Sequence, residues 1–550
     1  MRRSAAFVAA LVALFYFGQP VVPEATAIML LHEFTGGPND GQEPYAGLVQ
    51  SGSTFFGATR HGGGPCPLYS VGCGTIFSIN TDGSGFALLH EFAGGANDGE
   101  GPVGDLTLSG STLFGTTIQG GDPCPGNSDG CGTIFSINTD GSSFTLLHEF
   151  AGGANDGRKP SAGLTLSGSR LFGTTETGGD RDRGTVFSIN TDGSDFTLLH
   201  EFGGDNDDRW PYAGLTLSGS TLFGTTSSGG EHRYEGTIFS INTDGSGFAL
   251  LHEFAGGTND GGNPLAGLTL SGSTLFGTTL QRGDDDAGTI FSINTDGSGF
   301  TLLHEFAGGD NDGAWPYAAL TLSGSTLFGT TNVGGDSNSG TVFSINTDGS
   351  NFTLLHEFAG GDNDGAVPHA GLTLSGSTLF GTTNGGGDNN RGTVFSIEIP
   401  GITGDYNNNG TVDAADYVVW RKNDGTQDGY DTWRANFGAS AAGPSLPGDF
   451  NANGTVDAAD YVVWRMGLGT IYTQDDYNDW QANFGATLGS GSSSAFPTPP
   501  SAFDNAVPEP SALLLMMLAG AGLLLSRSVR KMPRSMGTLI CTQQHSSDYW

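Results

Sequence analysis

Two segments in the last third of the chain carry oxygen-bearing side chains at the spacing of a calcium-binding loop. Oxygen donors fall at loop positions 1, 3, 5, 9 and 12, glycine occupies position 6, and position 7 offers a backbone carbonyl, as Ca²⁺ requires. The donors are Asp405, Asn407, Asn409, Thr411, Asp413 and Asp416 in the first loop and Asp449, Asn451, Asn453, Thr455, Asp457 and Asp460 in the second. The spacing predicts two bound Ca²⁺ ions.

A short helix is predicted after each loop, from Tyr417 to Arg421 and from Tyr461 to Arg465. This tandem of loop and helix resembles the type I dockerin. The resemblance implies a module at residues 401–488 that docks onto a cohesin-like partner and belongs to polysaccharide-degrading machinery. Asparagine at loop position 5 in both copies is expected to weaken Ca²⁺ binding, and alanine pairs at the partner-selecting positions leave the partner open. A Ca²⁺-stabilised spacer is the alternative interpretation.

An internal repeat fills the region before these loops. The tripeptide His-Glu-Phe occurs seven times, from His32 to His356, at spacings of 52 or 58 residues. Each unit contains alternating runs such as Arg170 to Thr174, joined by Ser-Gly-Ser or Asn-Thr-Asp-Gly turns, which is the pattern of antiparallel hairpins. Four strands in about 50 residues is the size of a propeller blade.

The count of strands predicts how the repeats close into a ring. Seven Gly-Thr-Ile/Val-Phe strands are present, the last at Gly392 to Phe395, but no His-Glu-Phe strand follows it. The unpaired His-Glu-Phe strand is the first, Ile28 to Phe34. Pairing these two strands removes both exposed edges. We therefore predict an all-β, seven-bladed propeller over residues 28–400, with a linear β-solenoid as the alternative.

The repeat is distinctive in its Leu-Phe-Gly-Thr-Thr, Ile-Asn-Thr-Asp-Gly and Leu-His-Glu-Phe segments. By these segments it resembles the GloVer tandem-repeat family, whose members carry varied surface anchors. The resemblance covers all seven units and implies a propeller-like surface protein of undefined activity.

Differences between the repeats concentrate on one face of the predicted propeller. The segments between the second and third strands vary, as do positions around the proline before the first strand, whereas the turns at the other end hardly change. A rigid scaffold that presents binding loops has this pattern. Aromatic residues near the prolines either stack on sugar rings or peptide side chains, or pack the mouth of the channel. They are Tyr45, Trp210, Tyr212, Trp315, Tyr317 and His369.

The other repeated polar groups are expected to have structural roles. Asp40 and its equivalents in the Asn-Asp-Gly triplets are expected to hold their own turns, and a ring of cation-binding carboxylates is the alternative. The His-Glu pairs, beginning with His32, are expected to pack and to form hydrogen bonds. No nucleophile motif, H-E-x-x-H or phosphate loop is present in the sequence, so the propeller is predicted to be non-catalytic.

Two cysteine pairs occupy equivalent variable loops of the first two units. They are Cys66 with Cys73 and Cys124 with Cys131. In an exported chain such pairs form local disulfides that hold long loops in place. A zinc site shared by the four thiolates is the alternative.

The two ends of the chain look like targeting segments. Basic residues followed by an apolar run and an Ala-Thr-Ala site predict a secretory signal peptide at residues 1–27. A Ser/Pro-rich linker at residues 489–506 leads to a Pro-Glu-Pro motif, a predicted transmembrane helix and a basic cluster at residues 507–534, followed by a tail at residues 535–550. The motif consists of Val507, Pro508, Glu509 and Pro510. This order resembles the PEP-CTERM sorting signal, which implies recognition by an exosortase-type protease; a plain membrane anchor is the alternative.

Composition narrows the classes of function. The chain has 550 residues, with 57 acidic and 20 basic side chains and a formal net charge of −37. Binding of phosphates requires clustered Lys and Arg, so nucleic acid is not expected as a partner. We expect an exported, surface-directed, non-catalytic protein that binds an exopolysaccharide or a cell-envelope protein. A carbohydrate-active hydrolase or lyase and a purely structural surface protein are the alternatives.

Overall fold

The computed structural model describes residues 28–66, 71–124, 128–203, 209–230, 235–257 and 260–399, together with seven residues between 417 and 434. The chain divides into two units, Met1–Leu488 and Gly489–Trp550, and every described residue belongs to the first. The predicted signal peptide, both Ca²⁺ loops, the linker and the sorting segment lie outside the described residues.

Seven antiparallel sheets of four strands make up the propeller, which confirms the predicted architecture. We number the blades I to VII from Val49 onward. The innermost strands of successive blades contact one another around the axis. They are Val49–Ser51, Thr107–Ser109, Thr165–Ser167, Thr216–Ser218, Thr269–Ser271, Thr321–Ser323 and Thr373–Ser375. The second strands are Thr54–Thr59, Thr112–Thr117, Arg170–Thr175, Thr221–Thr226, Thr274–Thr279, Thr326–Thr331 and Thr378–Thr383.

The outer half of each blade is a second hairpin. The third strands are Thr75–Asn80, Thr133–Asn138, Thr185–Asn190, Thr237–Asn242, Thr289–Asn294, Thr341–Asn346 and Thr393–Glu398. The outermost strands are Ala87–Glu91, Thr145–Glu149, Thr197–Glu201, Ala249–Glu253, Thr301–Glu305, Thr353–Glu357 and, for blade VII, Ile28–Glu33.

The first strand of the chain completes the last blade, as the strand count predicts. Ile28–Glu33 pairs antiparallel with Thr393–Glu398, and Ile28 lies opposite Ile397. A linear solenoid would leave these two strands at opposite ends of the molecule. The β-solenoid alternative is therefore wrong.

Apolar side chains pack between the blades in seven clusters, one at each junction. The cluster that joins blades VII and I contains the buried residues Phe34, Phe55 and Phe380. Glycine and phenylalanine recur together because a glycine on the second strand lies under a phenylalanine on the third. A Cβ atom added to Gly57 would lie 2.5 Å from the ring of Phe77.

A second set of strand pairs identifies the variable face. In each blade, the segment that leads into the innermost strand pairs with the loop that follows the second strand. The pairs are Gly41–Gln42 with His61–Gly62, Gly99–Glu100 with Gln119–Gly120, Gly157–Arg158 with Thr177–Gly178, Gly313–Ala314 with Val333–Gly334 and Gly365–Ala366 with Gly385–Gly386, and two single bridges, Arg209 with Ser228 and Gly262 with Gln281. Both variable segments therefore lie on one face, which we call the loop face.

Beyond the propeller, the seven isolated residues have helical backbone conformation. Tyr417, Trp420, Tyr430 and Trp433 form a cluster of rings with centroids 5.1 to 6.2 Å apart. Both tryptophans are buried. The dockerin-like domain and its helices stay predictions, because both Ca²⁺ loops and the second helix lie outside the described residues.

Candidate binding face

The His-Glu-Phe histidines hold neighbouring repeats together. His32 Nε2 lies 3.1 Å from Asp40 Oδ1, and the His32 ring stacks on Phe86 of the next repeat with centroids 3.7 Å apart. Asp40 also accepts hydrogen bonds from the N–H groups of Thr35 and Gly41, both at 2.8 Å. Histidine bonds of the same kind are made by Asp98, Asp156, Asp260, Asp312 and Asp364. These contacts confirm the structural roles predicted for both residue types; Asp207 lies outside the described residues.

The residue before the proline on the loop face has the same unusual backbone conformation in every blade. Each has left-handed backbone with φ between 55° and 65°: Glu43, Gly101, Lys159, Trp210, Asn263, Trp315 and Val367. This conformation is unfavourable for a residue with a side chain, and a following proline restricts it further. Hydrogen bonds hold it on both sides: the Trp315 N–H donates to Ala287 of the preceding blade at 2.8 Å, and the Trp315 carbonyl accepts from Asn332 at 3.1 Å. The backbone thus fixes where these side chains emerge.

Three aromatic residues that follow the prolines pack into an arc across blades I, VII and VI. The Tyr45 and His369 rings are stacked with centroids 4.6 Å apart, and the Tyr317 ring lies 4.7 Å from His369 on the other side. Burial, helped by the charge of Arg60, lowers the pKa of His369 to about 4. The imidazole is therefore neutral at pH 7, and its Nε2 accepts a hydrogen bond from Asn332 Nδ2 at 3.1 Å.

The remaining predicted aromatics lie apart from this arc. Tyr212 donates a hydrogen bond to Glu176 Oε1 at 3.0 Å, and burial together with this carboxylate raises the pKa of the Tyr212 hydroxyl. The Trp210 ring carries the Arg209 guanidinium 4.9 Å above its centroid. Trp315, in contrast, has 42% of its surface exposed. The structure therefore brings together three of the six predicted residues and leaves Trp315 open to solvent.

One carboxyl breaks the sevenfold pattern at the start of the innermost strands. Six blades have a small residue at this position, namely Gly47, Gly163, Gly214, Gly267, Ala319 and Gly371, whereas blade II has Asp105. Asp105 Oδ1 accepts a hydrogen bond from the N–H of Gly47 at 2.6 Å. Asp105 is exposed to solvent. Neighbouring protein atoms nevertheless displace water from around its carboxyl group, and this desolvation raises the pKa of Asp105. The substitution was visible in the sequence as a departure from the Ala-Gly-Leu pattern.

Both predicted disulfides are present on the loop face, Cys66–Cys73 in blade I and Cys124–Cys131 in blade II. All four cysteines are therefore in disulfides, and none is left as a thiolate ligand for a shared zinc ion. Glu100 lies directly against the first disulfide, since one of its carboxylate oxygens and both sulfurs fall within 4.8 Å of one another. Because the sulfurs of Cys66 and Cys73 are bonded to each other, the Glu100 carboxylate is the one metal ligand that these three residues can offer.

A pocket of about 290 Å³ opens between blades I and II. Arg60 and His61 line it from blade I, and Glu100, Ile118 and Gln119 line it from blade II. His61 is oriented by a hydrogen bond from its Nδ1 to Glu43 Oε2 at 3.0 Å. Glu100 is only 2% exposed, and neither of its carboxylate oxygens has a hydrogen-bond partner among the described residues. Burial, and to a smaller extent Asp129, raise the pKa of Glu100 to about 7.

Sequence reasoning missed this pocket. Arg60 and Glu100 belong to different repeats, and neither lies in a recognisable motif. A comparison of equivalent positions would have singled out Arg60, because the same place holds Ile118, Glu176, Ser227, Leu280, Asn332 and Asn384 in the other blades.

Comparison with known protein families accounts for the repeat. A model described as the Gloeobacter/Verrucomicrobia repeat matches residues 20–234, 124–272 and 233–416. The chain belongs to this family. Membership in the Gloeobacter/Verrucomicrobia repeat family confirms the resemblance seen in the sequence, and the matched residues include the whole described propeller.

A second family model identifies the C-terminal signal. Residues 506–531 match the PEP-CTERM protein-sorting motif. This Gloeobacter/Verrucomicrobia repeat protein is therefore exported to the cell envelope through recognition by an exosortase. Among the described residues, no helix has the length and apolar character needed to cross a membrane.

Solved structures with similar chain paths include an oligogalacturonate lyase in complex with manganese, at 13% identity over 69% of this chain and 94% of that chain, with a TM-score of 0.45. A putative 6-phosphogluconolactonase from Bacteroides uniformis matches at 18% identity over 57% and 84%, with a TM-score of 0.38. The nidogen/laminin complex matches at 16% identity over 51% and 90%, with a TM-score of 0.31. No curated protein matches the chain. At these identities and scores, none of the structures indicates what the repeat protein binds.

Proposed function

We propose that the exported propeller is a non-catalytic binding module that takes a polysaccharide or a cell-envelope protein on its loop face. The observation that carries the proposal is Trp315, a large aromatic side chain that is 42% exposed on a backbone whose direction is fixed by strain and two hydrogen bonds. Exposed, rigidly held aromatic rings stack on sugars and on peptide side chains at little entropic cost.

The neighbouring arc supports the same proposal. Tyr45, His369 and Tyr317 are partly buried against one another, and the His369 imidazole is neutral at pH 7, so the three rings form a continuous aromatic surface. Tyr317 follows the same proline that Trp315 precedes. The arc therefore reaches the loop of blade VI that also carries Trp315.

The proposal is tested by glycan-array binding of the purified full-length chain, with product analysis of every glycan bound. Trp315→Ala is expected to weaken binding about tenfold, the equivalent of about 1.4 kcal/mol. Met29→Ala is the matched control, because Met29 is also exposed but lies on the outermost strand of blade VII. Equal binding by both variants would exclude Trp315 from the site. If no glycan on the array is bound but an envelope protein is captured, the ligand is a protein. If neither a glycan nor an envelope protein is bound, a structural role is favoured.

For residues 401–488 we propose a Ca²⁺-dependent, dockerin-like interaction module with a cohesin-like partner. The donor spacing in the two loops supports Ca²⁺ binding. The ring cluster around Trp420 and Trp433 supplies the apolar core that such a small module needs.

A carbohydrate-active hydrolase or lyase is the second candidate. The observation that favours it is the pocket between blades I and II, which combines the buried acid Glu100 with His61 oriented by Glu43. A carboxyl with a pKa near 7 beside an oriented histidine is a combination used for proton transfer. Release of shorter or unsaturated products by the full-length chain, lost in Glu100→Gln, would replace the binding proposal with this one.

A further inference from the structure

The lining of the pocket between blades I and II includes Arg60, which has no acidic partner among the described residues. Among the described residues, no ion pair joins Arg60 to a carboxylate; its guanidinium carbon lies 5.2 Å from the centroid of the Tyr45 ring. Three other cations of the loop face are each paired with a carboxylate: Arg158 with Asp182, Lys159 with Glu176 and Arg282 with Glu235. In a chain with 57 acidic and 20 basic residues, an arginine in the lining of a pocket without an ion pair among the described residues is a specific arrangement.

The nearby acids leave the charge of Arg60 uncompensated. Glu100 is buried against the Cys66–Cys73 disulfide without a hydrogen-bond partner among the described residues, and its high pKa keeps it largely protonated below pH 7. The Glu43 carboxylate is occupied by His61 and by the side chain of Gln42. The pocket lining therefore combines a cation with a largely protonated carboxyl, which suits a bound anion of planar shape such as a carboxylate.

The size and position of the pocket restrict the anion further. A volume of about 290 Å³ admits one sugar residue and does not enclose a long chain. Arg60 lies over Tyr45, and Tyr45 begins the aromatic arc that runs through His369 to Tyr317. A chain of sugars with one residue in the pocket would have its next residues over that arc.

We propose that the pocket between blades I and II binds the carboxylate of a uronic-acid residue within an acidic polysaccharide. This inference rests on the proposed function and names the class of its ligand. Arg60 holds the carboxylate through parallel N–H donors, and the sugar chain continues across blades I and VII toward Trp315 in blade VI.

The test measures binding of uronic-acid oligosaccharides to the full-length chain by calorimetry at pH 6, with the methyl esters of the same oligosaccharides as neutral counterparts. The wild-type chain is expected to bind the free acids at least about tenfold more tightly than the esters, since a charge-assisted pair is lost in the ester. Arg60→Gln is expected to remove this difference. Arg158→Gln is the matched control, because Arg158 lies on the same face in an ion pair outside the pocket, and it should retain the difference.

Arg60→Lys, together with thermal unfolding of each variant, separates loss of binding from loss of folding. Lysine keeps the charge but not the planar fork, so it should recover only part of the preference for the acid. Equal binding of acid and ester by the wild type, or an unchanged preference in Arg60→Gln, would overturn the inference and leave the binding proposal standing. Failure of the wild type to bind any glycan, acidic or neutral, would overturn the inference and the polysaccharide ligand of the binding proposal, and would leave a cell-envelope protein as its ligand.

Discussion

The side-chain hydroxyl of Thr373 in blade VII donates a hydrogen bond to the carbonyl oxygen of Leu48 in blade I, across 325 residues of sequence. Equivalent bonds join five other pairs of neighbouring blades and start from Thr107, Thr165, Thr216, Thr269 and Thr321. Blade I has Val49 at this position and thus no hydroxyl. This ring of bonds is therefore open between blades I and II.

Completing the ring should stabilise the propeller. Val49→Thr places a donor opposite the carbonyl of Leu106, and we expect the free energy of unfolding to rise by about 1 kcal/mol. Thr373→Val removes the closing bond and should lower it by about the same amount. Urea denaturation of the full-length chain measures both variants. Changes of the same sign in the two would show that these hydroxyl bonds do not contribute as described.

The Asp260 carboxylate should make the stability of the fold depend on pH in the acidic range. Burial pushes its pKa upward, but hydrogen bonds from His252 and from the N–H groups of Ala255 and Gly261 hold it below the ordinary value of 3.8. A carboxyl with a lowered pKa in the folded state stabilises the fold above its unfolded pKa, and this contribution is lost as the pH falls through the folded pKa. The melting temperature of Asp260→Asn should therefore be lower than that of the wild type at pH 7, and this difference should disappear toward pH 2. Asp285→Asn, at an exposed site of the same blade, should show no such gap.

Glu100 should have the opposite effect. Its pKa rises from an ordinary value of 4.5 to about 7 because the side chain is buried. The folded state then holds a proton that the unfolded state has released, so stability falls as the pH rises from 4.5 to 7. Glu100→Gln should be more stable than the wild type at pH 8, by at most about 3 kcal/mol, and should match it near pH 4. Thermal unfolding at the two pH values checks this, with the exposed Glu398→Gln as control. An equal shift at both pH values would point to packing instead of ionisation.

Removal of Ca²⁺ should unfold the region around the tryptophan cluster. Calorimetry of the full-length chain is expected to detect two Ca²⁺ ions, and Asp405→Asn and Asp449→Asn should each remove one, because each replaces the first ligand of its loop. Chelation should shift tryptophan fluorescence to longer wavelength as Trp420 and Trp433 become exposed. Absence of any Ca²⁺-dependent change would exclude both the dockerin-like and the spacer interpretations.

Much of the propeller could be predicted because its information is local and repeated. Each hairpin is specified by its own turn, and seven copies make the strand count reliable, so the pairing of Ile28–Glu33 with Thr393–Glu398 followed from an unmatched strand. The two disulfides followed from short spacing within equivalent loops. The loop face followed from variation between copies. The two Ca²⁺ loops and the helix after each of them stay predictions from the sequence.

Sequence alone thus determined the number of blades, the closing strand and the face that carries the differences, because hydrogen bonding within hairpins and apolar packing between copies depend on patterns that repeat along the chain. Only the tertiary structure decided which single residues meet across blades. The stacking of Tyr45 on His369 requires the ring to be closed, and the pocket shared by Arg60 and Glu100 requires two loops from different repeats to meet. The neutral state of His369 and the raised pKa of Glu100 depend on burial, which is set by the assembled blades and not by neighbours in sequence.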